Sequence, residues 1–318
     1  MPSAIIIGHT GQDGRILWDQ LADRGYRLAG ISGRWLRVDG RDHERSAYAS
    51  DDDPLDPLIG GFGADEIYYL AACHHGSERA MPDIADLART SWTVHVEQFE
   101  QVLQQVRRTS PRVRVFYASS SRIFGAGDGK PLHEHSRTRP ECIYGLTKAS
   151  GMQVARYYRD VAGMHVSCGI LFNHESGLRS PQYLSQRVVN GLLDIRDGCS
   201  DCFSVGSLQA QADWGYAPDY TRAMQLMVAR DEPGDAVVAT GVLHSVKDFI
   251  GLAAKELCVN WAGHVTEQSS LLARPAQGLR GDATLLRRTT GWAPSIDFET
   301  MVSRLAREAS ERRGAGQA

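Results

Sequence analysis

The sequence has no long apolar run and no strong excess of charge of either sign. No stretch approaches the roughly 20 consecutive apolar residues that a membrane-spanning helix needs. The start, Met1-Pro2-Ser3, lacks the basic residues that open a signal peptide. A formal net charge of −3 argues against a surface for nucleic acid. We therefore expect a cytoplasmic globular protein that binds neither membranes nor nucleic acid.

Cysteine pairs at metal-binding spacing are also scarce. The 318 residues include six cysteines, and Cys199 and Cys202 form a Cys-x-x-Cys without a second such pair. We therefore expect free thiols rather than a zinc site or a disulfide framework. His74 and His75 are adjacent, so their side chains point in different directions, and no third ligand is evident. The sequence predicts no metal site.

What the chain does contain is a regular alternation of short apolar runs and helical segments. Strands are predicted at 4–7, 27–31, 66–70, 113–118 and 166–172, with long helices at 87–108 and 144–162. This alternation predicts an α/β fold with a doubly wound parallel sheet of the Rossmann type. After Asn173 the pattern becomes irregular. We assign 1–173 to a dinucleotide-binding domain and 174–318 mainly to a smaller, interwoven substrate-binding domain, with some segments returning to the sheet.

Three glycines, Gly8, Gly11 and Gly14, follow the first apolar run directly. Glycines at such a turn let the backbone approach a pyrophosphate at the N-terminus of the next helix, where free N–H groups favour anions. The spacing is Gly-x-x-Gly-x-x-Gly rather than the more familiar Gly-x-Gly-x-x-Gly. The alternative is a plain strand–helix turn, but the position after the first strand favours a dinucleotide site.

The end of the second strand bears on which dinucleotide is bound. The segment Ile31-Ser32-Gly33-Arg34 has no acidic residue to accept the adenosine ribose hydroxyls. Arg34 can instead pair with a 2′-phosphate. The alternative is that Arg34 is an ordinary solvated charge. We predict NADP as the cofactor, with NAD the less favoured choice.

Tyr144 and Lys148 lie four residues apart, downstream of the hydroxyl run Ser119-Ser120-Ser121. On a helix this spacing places the phenol and the ammonium on one face. The ammonium is expected to lower the pKa of Tyr144, which would then exchange a proton near neutrality. A serine hydroxyl can hold the substrate oxygen. A Tyr-x-x-x-Lys alone is weak evidence, but together with an upstream glycine turn it indicates hydride transfer at an alcohol or ketone.

Several ordered segments resemble the extended short-chain dehydrogenase/reductases that act on nucleotide sugars. The likeness is greatest to the GDP-mannose 4,6-dehydratases of the NAD-dependent epimerase/dehydratase family, and it spans nearly the whole chain. The segments that carry it are Thr10-Gly11-Gln12-Asp13-Gly14, Gly169-Ile170-Leu171-Phe172-Asn173-His174-Glu175-Ser176, Asp213-Trp214-Gly215, Asp219-Tyr220, Asp231-Glu232-Pro233, Ala239-Thr240-Gly241, His244-Ser245-Val246, Arg274-Pro275-Ala276 and Gly291-Trp292.

The resemblance implies three groups of site residues. Catalysis is expected from Tyr144, Lys148 and Ser120. Cofactor contacts are expected from Gly8, Thr10, Gly11, Gln12, Asp13, Gly14, Arg34, Leu70, Ala71, Ala72, Tyr144, Lys148, Leu171 and His174. Contacts to a nucleotide sugar, GDP-linked rather than dTDP-linked, are expected from Ser121, Arg122, Asn173, Arg187 and Arg274. The resemblance also implies a homodimer or homotetramer built on the helices at 87–108 and 144–162.

The departures from the family pattern lie where the chemistry would occur. Arg122 stands where the dehydratases have the Glu that removes a proton beside the transient ketone. A guanidinium stays protonated and cannot act as a general base. Ser121 stands where some sugar dehydratases have an Asp acid, Ala212 replaces the Arg that grips the substrate phosphate, and Gln277 replaces a Glu.

Three functions follow as hypotheses. The first is an NADP-dependent reductase of a 4-keto nucleotide sugar, in which Tyr144 donates the proton and Asn173 positions the diphosphate. The second is a 4,6-dehydratase or epimerase whose base has moved to the loop before Tyr144, at His133, Glu134, His135 or Glu141. These four residues are otherwise ordinary polar loop residues. The third is a catalytically idle relative that keeps the fold and the cofactor.

Overall fold

The computed structural model describes residues 1–33, 35–38, 41–44, 56–73, 83–269 and 278–315. Within these ranges the strands are β1 (Ser3–Ile7), β2 (Arg27–Ser32), β3 (Trp35–Val38), β4 (Arg41–Glu44), β5 (Glu66–Tyr69), β6 (Arg114–Ser120), β7 (Val166–Leu171), β8 (Asn173–Glu175), β9 (Phe203–Val205), β10 (Gln211–Tyr216), β11 (Asp235–Val238), β12 (Leu243–Ser245) and β13 (Val265–Glu267).

The helices within the same ranges are α1 (Gln12–Asp23), α2 (Asp56–Phe62), α3 (Ile84–Trp92), α4 (Gln98–Thr109), α5 (Ile143–Asp160), α6 (Leu184–Arg196), α7 (Ala217–Ala229), α8 (Val246–Leu257), α9 (Thr284–Thr290) and α10 (Phe298–Ala315). A π-helical turn, Thr93–Glu97, joins α3 to α4, and a 3₁₀ turn, Ser121–Phe124, follows β6.

The main sheet has the spatial order β11-β7-β6-β5-β1-β2-β3-β4 in the part of the chain that is described. The strands from β11 to β2 pair in parallel, and β3 and β4 continue the sheet antiparallel. Helices α1 and α7 pack together on one face, and α2, α4 and α5 cover the other. This is the doubly wound α/β Rossmann fold that the sequence predicted.

The central strands form because both faces of the sheet are covered. Every residue of β1 and β7 is buried, which explains why these strands are continuous apolar runs rather than alternating ones. Helix α1 turns Ile16, Leu17 and Leu21 towards the core at helical spacing. The sheet and its helices share one hydrophobic core, which Trp292 also joins from the C-terminal part.

The chain after β7 builds a smaller layer around a second hydrophobic cluster. That cluster combines α6, α8 and α10 with Trp214 of β10. Strands β8, β10 and β12 form a three-stranded sheet, and β9 pairs with β13. Strand β11 and helix α7 belong instead to the main sheet layer, because β11 pairs with β7 and α7 packs on β6 and β7.

Most predicted elements are present, with two differences near the site. The helix predicted at 87–108 is interrupted by the π-helical turn at Thr93–Glu97. The antiparallel pair β3–β4 was not predicted, because Trp35–Val38 and Arg41–Glu44 show neither a long apolar run nor a clear alternation. None of the helices in the described ranges is both long and apolar enough for a membrane span.

Large apolar side chains remain exposed on α3 and α5, which overlap the segments 87–108 and 144–162 that the sequence assigned to a subunit interface. They are Ile84 and Trp92 on α3, and Leu146 and Tyr157 on α5. Exposed apolar groups on neighbouring helices are typical of surfaces covered by another chain. The homodimer or homotetramer stays a prediction.

The strand order reverses between β1 and β5, so a crevice opens at their carboxyl ends. The glycine turn fills the β1 side of this crevice. A Cβ added at Gly14 would lie 2.3 Å from the Gly8 carbonyl oxygen and 2.5 Å from His9 Cα. Helix α1 can approach the turn this closely only because residue 14 has no side chain.

We expect Gly14→Ala to destabilise the protein by about 1–3 kcal/mol, since backbone atoms would have to move. The same variant should bind a dinucleotide cofactor poorly, because the turn would open. Gly251→Ala in α8 is a matched control, as no heavy atom lies within 4 Å of its added Cβ. Urea unfolding and cofactor titration of both variants check this. Equal stability and binding in the two variants would contradict the close-approach argument.

Candidate active site

A cavity of about 1440 Å³ opens at the carboxyl ends of β1, β5, β6 and β7. Its floor comes from the glycine turn and the residues that follow β5. One wall is the end of β6 with the start of α5, and the other combines the segment after β7 with β10. Parallel strands deliver their C-terminal residues to one edge, so segments far apart in sequence meet here.

The glycine turn leads into the N-terminus of α1, whose first residues Gln12, Asp13 and Gly14 line the cavity. Gly11 is the N-cap of α1 and supplies no side-chain hydrogen bond to the first turn. Gly8 N–H is bonded to Ile31 O, and Thr10 N–H is bonded to Ser32 Oγ 3.1 Å away, which fixes the turn against β2. The uncapped N-terminus of α1 and its dipole therefore face the cavity, the arrangement that binds a pyrophosphate.

The predicted cofactor residues in the described part of the chain all line this cavity. They are Gly8, Thr10, Gly11, Gln12, Asp13, Gly14, Leu70, Ala71, Ala72, Tyr144, Lys148, Leu171 and His174. A Cβ on Gly8 would approach the backbone N of Ala71 to 2.8 Å, so the floor is backbone rather than side chain. Arg34, on which the choice of NADP depended, lies outside the described residues.

Ser120, Tyr144 and Lys148 meet at the end of β6. The Ser120 hydroxyl accepts a hydrogen bond from the Arg122 backbone N–H at 3.2 Å and is also hydrogen-bonded to the Tyr144 phenol. Lys148 is buried, and its Nζ donates to the carbonyl oxygens of Ala118 at 2.8 Å and Ala71 at 3.4 Å. Its Nζ lies 5.9 Å from the centre of the Tyr144 ring. The structure thus brings the three predicted catalytic residues together.

The predicted lowering of the Tyr144 pKa by Lys148 is not found. Loss of contact with water raises the pKa of Tyr144 above its usual value, and the Tyr183 phenol adds to this, whereas Arg179 and the Ser120 hydrogen bond act in the opposite direction. Burial also lowers the pKa of Lys148 to about 7. The Lys148 charge is directed at two carbonyl oxygens rather than at the phenol. Tyr144 is therefore protonated at neutral pH.

His174 and Asp13 form a bridge across the cavity floor. His174 Nε2 lies 2.9 Å from a carboxylate oxygen of Asp13, and His174 Nδ1 lies 2.7 Å from the Phe172 carbonyl oxygen. Both partners accept hydrogen bonds, so both ring nitrogens donate and the imidazole carries a proton on each. Burial alone would lower the pKa of His174, but the charge and hydrogen bond of Asp13 outweigh it and raise that pKa.

The bridge is extended by Gln12. Its side-chain nitrogen donates to Asp13 and to the His174 carbonyl oxygen, and its side-chain oxygen accepts from Ser176. Burial acts to raise the pKa of Asp13, but His174, Arg179 and Gln12 together outweigh it and lower that pKa. These bonds fix the glycine turn to the segment that follows β7.

The predicted substrate residues are only partly brought together. Ser121, Arg122 and Asn173 line the cavity. Arg187 does not, because α6 directs it away and its guanidinium donates to the Ser204 carbonyl oxygen at 2.8 Å. This placement runs against its expected contact with substrate. Arg274 lies outside the described residues.

The four candidates for a relocated base differ in burial and in whether they line the cavity. Glu134 is buried, and its carboxylate accepts a hydrogen bond from the Val237 backbone N–H at 2.7 Å. His133 and His135 contact each other and do not line the cavity. Glu141 is exposed at the cavity wall. Among the four, Glu141 alone is in reach of a ligand held there.

Sequence reasoning missed Arg179 and Tyr183, which line the cavity after β8. The Arg179 guanidinium stacks on the Tyr183 ring at 3.9 Å and pairs with Glu175 at 3.6 Å. Burial alone would lower the pKa of Arg179, but Glu175 and the neighbouring phenols raise it. A basic residue shortly after the end of a central strand is the one sequence signal for Arg179.

Asp213 on β10 is, like Asp13, a cavity-lining carboxylate that accepts several hydrogen bonds from the protein. It accepts hydrogen bonds from the backbone N–H groups of Thr240, Gly241 and Gly281 and from the Thr240 hydroxyl. Burial nevertheless raises the pKa of Asp213. Its bonds join β10 to the loops after β11 and before α9. Asp213 therefore shapes the cavity wall instead of offering a free carboxylate.

The fold and the site together define a class of protein. A parallel Rossmann sheet, a glycine turn at its switch point and a Ser, Tyr and Lys at the end of β6 are the features of the short-chain dehydrogenase/reductases. Residues 5–305 match the family model described as GDP-mannose 4,6 dehydratase. The chain belongs to this family of NAD(P)-dependent nucleotide-sugar dehydratases and epimerases.

Individual relatives agree with this assignment. A GDP-mannose 4,6-dehydratase of Sinorhizobium fredii (strain HH103) is 31% identical over 339 residues, covering 96% of this chain and 95% of that protein. GDP-mannose 4,6 dehydratase 1 of Arabidopsis thaliana is 30% identical, covering 96% and 89%. The structure of RMD from Pseudomonas aeruginosa complexed with NADPH has a TM-score of 0.80 at 18% identity, covering 98% of this chain and 100% of that one. At this identity the last likeness shows the fold alone.

The His174–Asp13 bridge predicts a pH-dependent contribution to stability. Because the pKa of His174 is raised on folding, its contribution to the free energy of unfolding is fully present below pH ~6.5. This contribution is lost as the pH rises through the pKa of His174 in the folded protein. Because the pKa of Asp13 is lowered on folding, its contribution to the free energy of unfolding is fully present above pH ~4. This contribution is lost as the pH falls below about 4 and through the pKa of Asp13 in the folded protein. The bridge should therefore stabilise most between about pH 4 and pH 6.5.

We expect His174→Gln to cost roughly 1.5–3 kcal/mol at pH 6, the size of a hydrogen bond to a charged group. The cost should shrink as pH rises to 9. Urea unfolding from pH 5 to pH 9 measures this, with the exposed His135→Gln as the matched control. A cost for His174→Gln that is the same at every pH would contradict a charged bridge.

Proposed function

We propose that this protein is an NADP-dependent reductase of a 4-keto nucleotide sugar, GDP-linked by analogy with its relatives. The observation that carries the proposal is the state of the acid–base groups around the cavity. The Tyr144 phenol lines the cavity and is hydrogen-bonded to Ser120, so it is placed to donate a proton to a ketone oxygen bound there. Arg122, two residues after Ser120, remains cationic and cannot remove a proton.

The other carboxylates that line the cavity support this reading. Asp13 is bonded to His174, Glu175 to Ser185 and Asp213 to the loops beside it. A base for the dehydration step must reach a sugar carbon next to the ketone, and these three carboxylates are already held by the protein. The proposed reduction needs no such base.

In the proposed reaction, the residues of the chain orient the substrate and deliver one proton. When bound, the nicotinamide cofactor would supply the hydride that reduces the ketone carbon. Ser120 holds the ketone oxygen by a hydrogen bond, and Tyr144 donates its proton to the same oxygen as the C=O bond becomes a C–O–H. Lys148 holds the end of β6 and the segment after β5 in place through its two carbonyl contacts.

A second candidate function is dehydration or epimerisation with Glu141 as the base. It is favoured by one observation, the exposed position of Glu141 on the cavity wall just before α5. The chain's relatives named GDP-mannose 4,6-dehydratase make this the natural rival. Against it, the residue two places after Ser120 is Arg122, and Ala212 lines the cavity where the family has an Arg for the substrate phosphate.

The central test follows NADPH oxidation with GDP- and dTDP-linked 4-keto sugars. We expect the wild type to reduce a GDP-linked 4-keto sugar, and Tyr144→Phe to lose about 10²- to 10⁴-fold in rate because it removes the proton donor. Tyr157→Phe is the matched control, since Tyr157 is exposed on the same helix. Retained nucleotide binding with no turnover of any keto sugar would favour a catalytically idle relative instead.

The dehydratase hypothesis is tested by incubating the wild type with GDP-mannose and NADP⁺ and measuring the mass of the product by mass spectrometry. We expect no product lighter by one water. Strong formation of such a product, lost in Glu141→Gln, would establish the dehydratase and overturn the reductase proposal. Arg122→Glu should restore some dehydration if the cavity accepts GDP-mannose despite Ala212.

The cofactor preference is a separate prediction. We expect NADPH to bind more tightly than NADH, because Arg34 can pair with the 2′-phosphate. Arg34→Ala should weaken NADPH binding and leave NADH binding unchanged. Arg112→Ala, an exposed residue at the opposite end of β6, is the control. Equal wild-type affinity for the two cofactors in a fluorescence titration would contradict the prediction.

A further inference from the structure

His95 is a fully buried histidine beside the catalytic tyrosine, and the reaction described above gives it no role. Its relative exposure is 0%, and it lies in the π-helical turn between α3 and α4. Such turns add one residue to a helix and are frequent at functional sites. Here the turn brings the His95 ring against Tyr144, and the His95 carbonyl oxygen accepts a hydrogen bond from the buried Tyr117 phenol at 3.0 Å.

The imidazole of His95 links two segments that border the cavity. The Cys73 backbone N–H donates to Nε2 at 2.9 Å, and Nδ1 lies 2.7 Å from the Thr147 hydroxyl. Because a backbone N–H is only a donor, Nε2 must accept and Nδ1 must carry the proton. The Thr147 hydroxyl then donates onward to the carbonyl oxygens of Ile143 or Tyr144, at 2.9 and 3.2 Å. The donors and acceptors match along the whole chain of bonds.

The same ring also contacts Tyr144 directly. The His95 and Tyr144 rings are perpendicular, with an interplanar angle of 87° and centroids 5.4 Å apart. Edge-to-face contacts of this kind favour one orientation over others. At the other end of the Tyr144 side chain, the phenol oxygen is hydrogen-bonded to Ser120. Tyr144 is thus fixed at its ring by His95 and at its hydroxyl by Ser120.

We propose that His95 is a positioning residue that sets the orientation of the Tyr144 phenol for proton donation. It does so by the ring contact and by joining the segment after β5 to helix α5 through Cys73 and Thr147. The role rests on the proposed reduction, in which Tyr144 is the proton donor. A displacement of about 1 Å in a reacting group can cost on the order of 100-fold in rate. Loss of the His95 contacts should therefore lower kcat and leave binding intact.

Substitutions of His95 and Thr147 test the hydrogen bonds and the ring contact of His95 one at a time. Thr147→Val removes the hydroxyl that His95 contacts with little change in volume, and Thr147→Ser keeps it. His95→Phe keeps a ring but loses both hydrogen bonds, whereas His95→Asn keeps a donor near the position of Nδ1 and loses the ring. We expect kcat to fall about 10- to 100-fold in Thr147→Val and His95→Phe, with KM for both substrates within about twofold. Thr147→Ser should restore kcat to near the wild-type value.

His165→Phe is the matched control, because His165 lies just before β7 at the opposite end of the sheet. It should not change kcat. A role confined to stability predicts instead an unchanged kcat for the folded fraction in every variant, and that result would overturn the proposal. If Thr147→Val fails to fold, His95→Asn takes its place, with an expected loss of about 10-fold in kcat from the missing ring contact.

A readout that does not need turnover separates this proposal from the proposed function. Ring ¹³C-labelled tyrosine gives a Tyr144 signal in the NMR spectrum, identified by its absence in Tyr144→Phe. We expect that signal to shift or broaden in Thr147→Val, while the signal of the exposed Tyr157 stays unchanged. If the wild type reduces no keto sugar but the Tyr144 signal responds, the reductase proposal fails and the positioning by His95 stands. An unmoved Tyr144 signal would overturn the positioning.

Discussion

Burying an ammonium group is unfavourable unless hydrogen bonds replace the lost water, and Lys148 finds its replacement in backbone carbonyls. Its Nζ donates to Ala118 near the end of β6 and to Ala71 after β5. Each contact fixes a strand end against helix α5, which carries Tyr144 one turn earlier. Lys148 therefore joins the floor of the cavity to the wall that carries Tyr144, and the bonds of His95 to Cys73 and Thr147 link the same two segments. The lowered pKa of Lys148, about 7, reflects how little water reaches it.

The charges around the cavity fall into two groups. The first is held by partners from the protein, as Asp13 is by His174 and Asp213 by the Thr240 and Gly241 backbone. The second, at Arg122 and Glu141, is exposed at the rim with side chains that face solvent. The held group supports the shape of the site. The exposed pair is the part of the cavity on which the two proposed reactions differ.

The parts of this architecture that were predictable from sequence are those with a local signal. The glycine turn follows β1 directly, and Tyr144 and Lys148 lie on one helical face, so the two patterns together predicted residues that meet at one cavity. His95 gave no such signal, and Arg179 gave only the weak one of a basic residue shortly after a central strand. Their importance comes from contacts with Tyr144 and Tyr183, made by segments that are distant in sequence or irregular in backbone.

The pKa of Tyr144 could not be predicted from the sequence for a related reason. A spacing of four residues shows that two side chains share a helical face, but it does not show what else each one contacts. The Lys148 ammonium is bonded to carbonyl oxygens that only the folded sheet brings near it. Burial of the phenol, which has no sequence pattern of its own, then raises the pKa of Tyr144.

The order of strands in the main sheet also bears on how the chain assembles during synthesis. Strand β1 occupies an interior position between β2 and β5, while β11 is added at the far edge from more than 200 residues downstream. Domains tend to fold from the N-terminus as they leave the ribosome. The dinucleotide-binding crevice can therefore begin to form before β8 and β10 have been made. A growing chain would acquire the glycine turn first and the cavity wall formed by β8 and β10 only later.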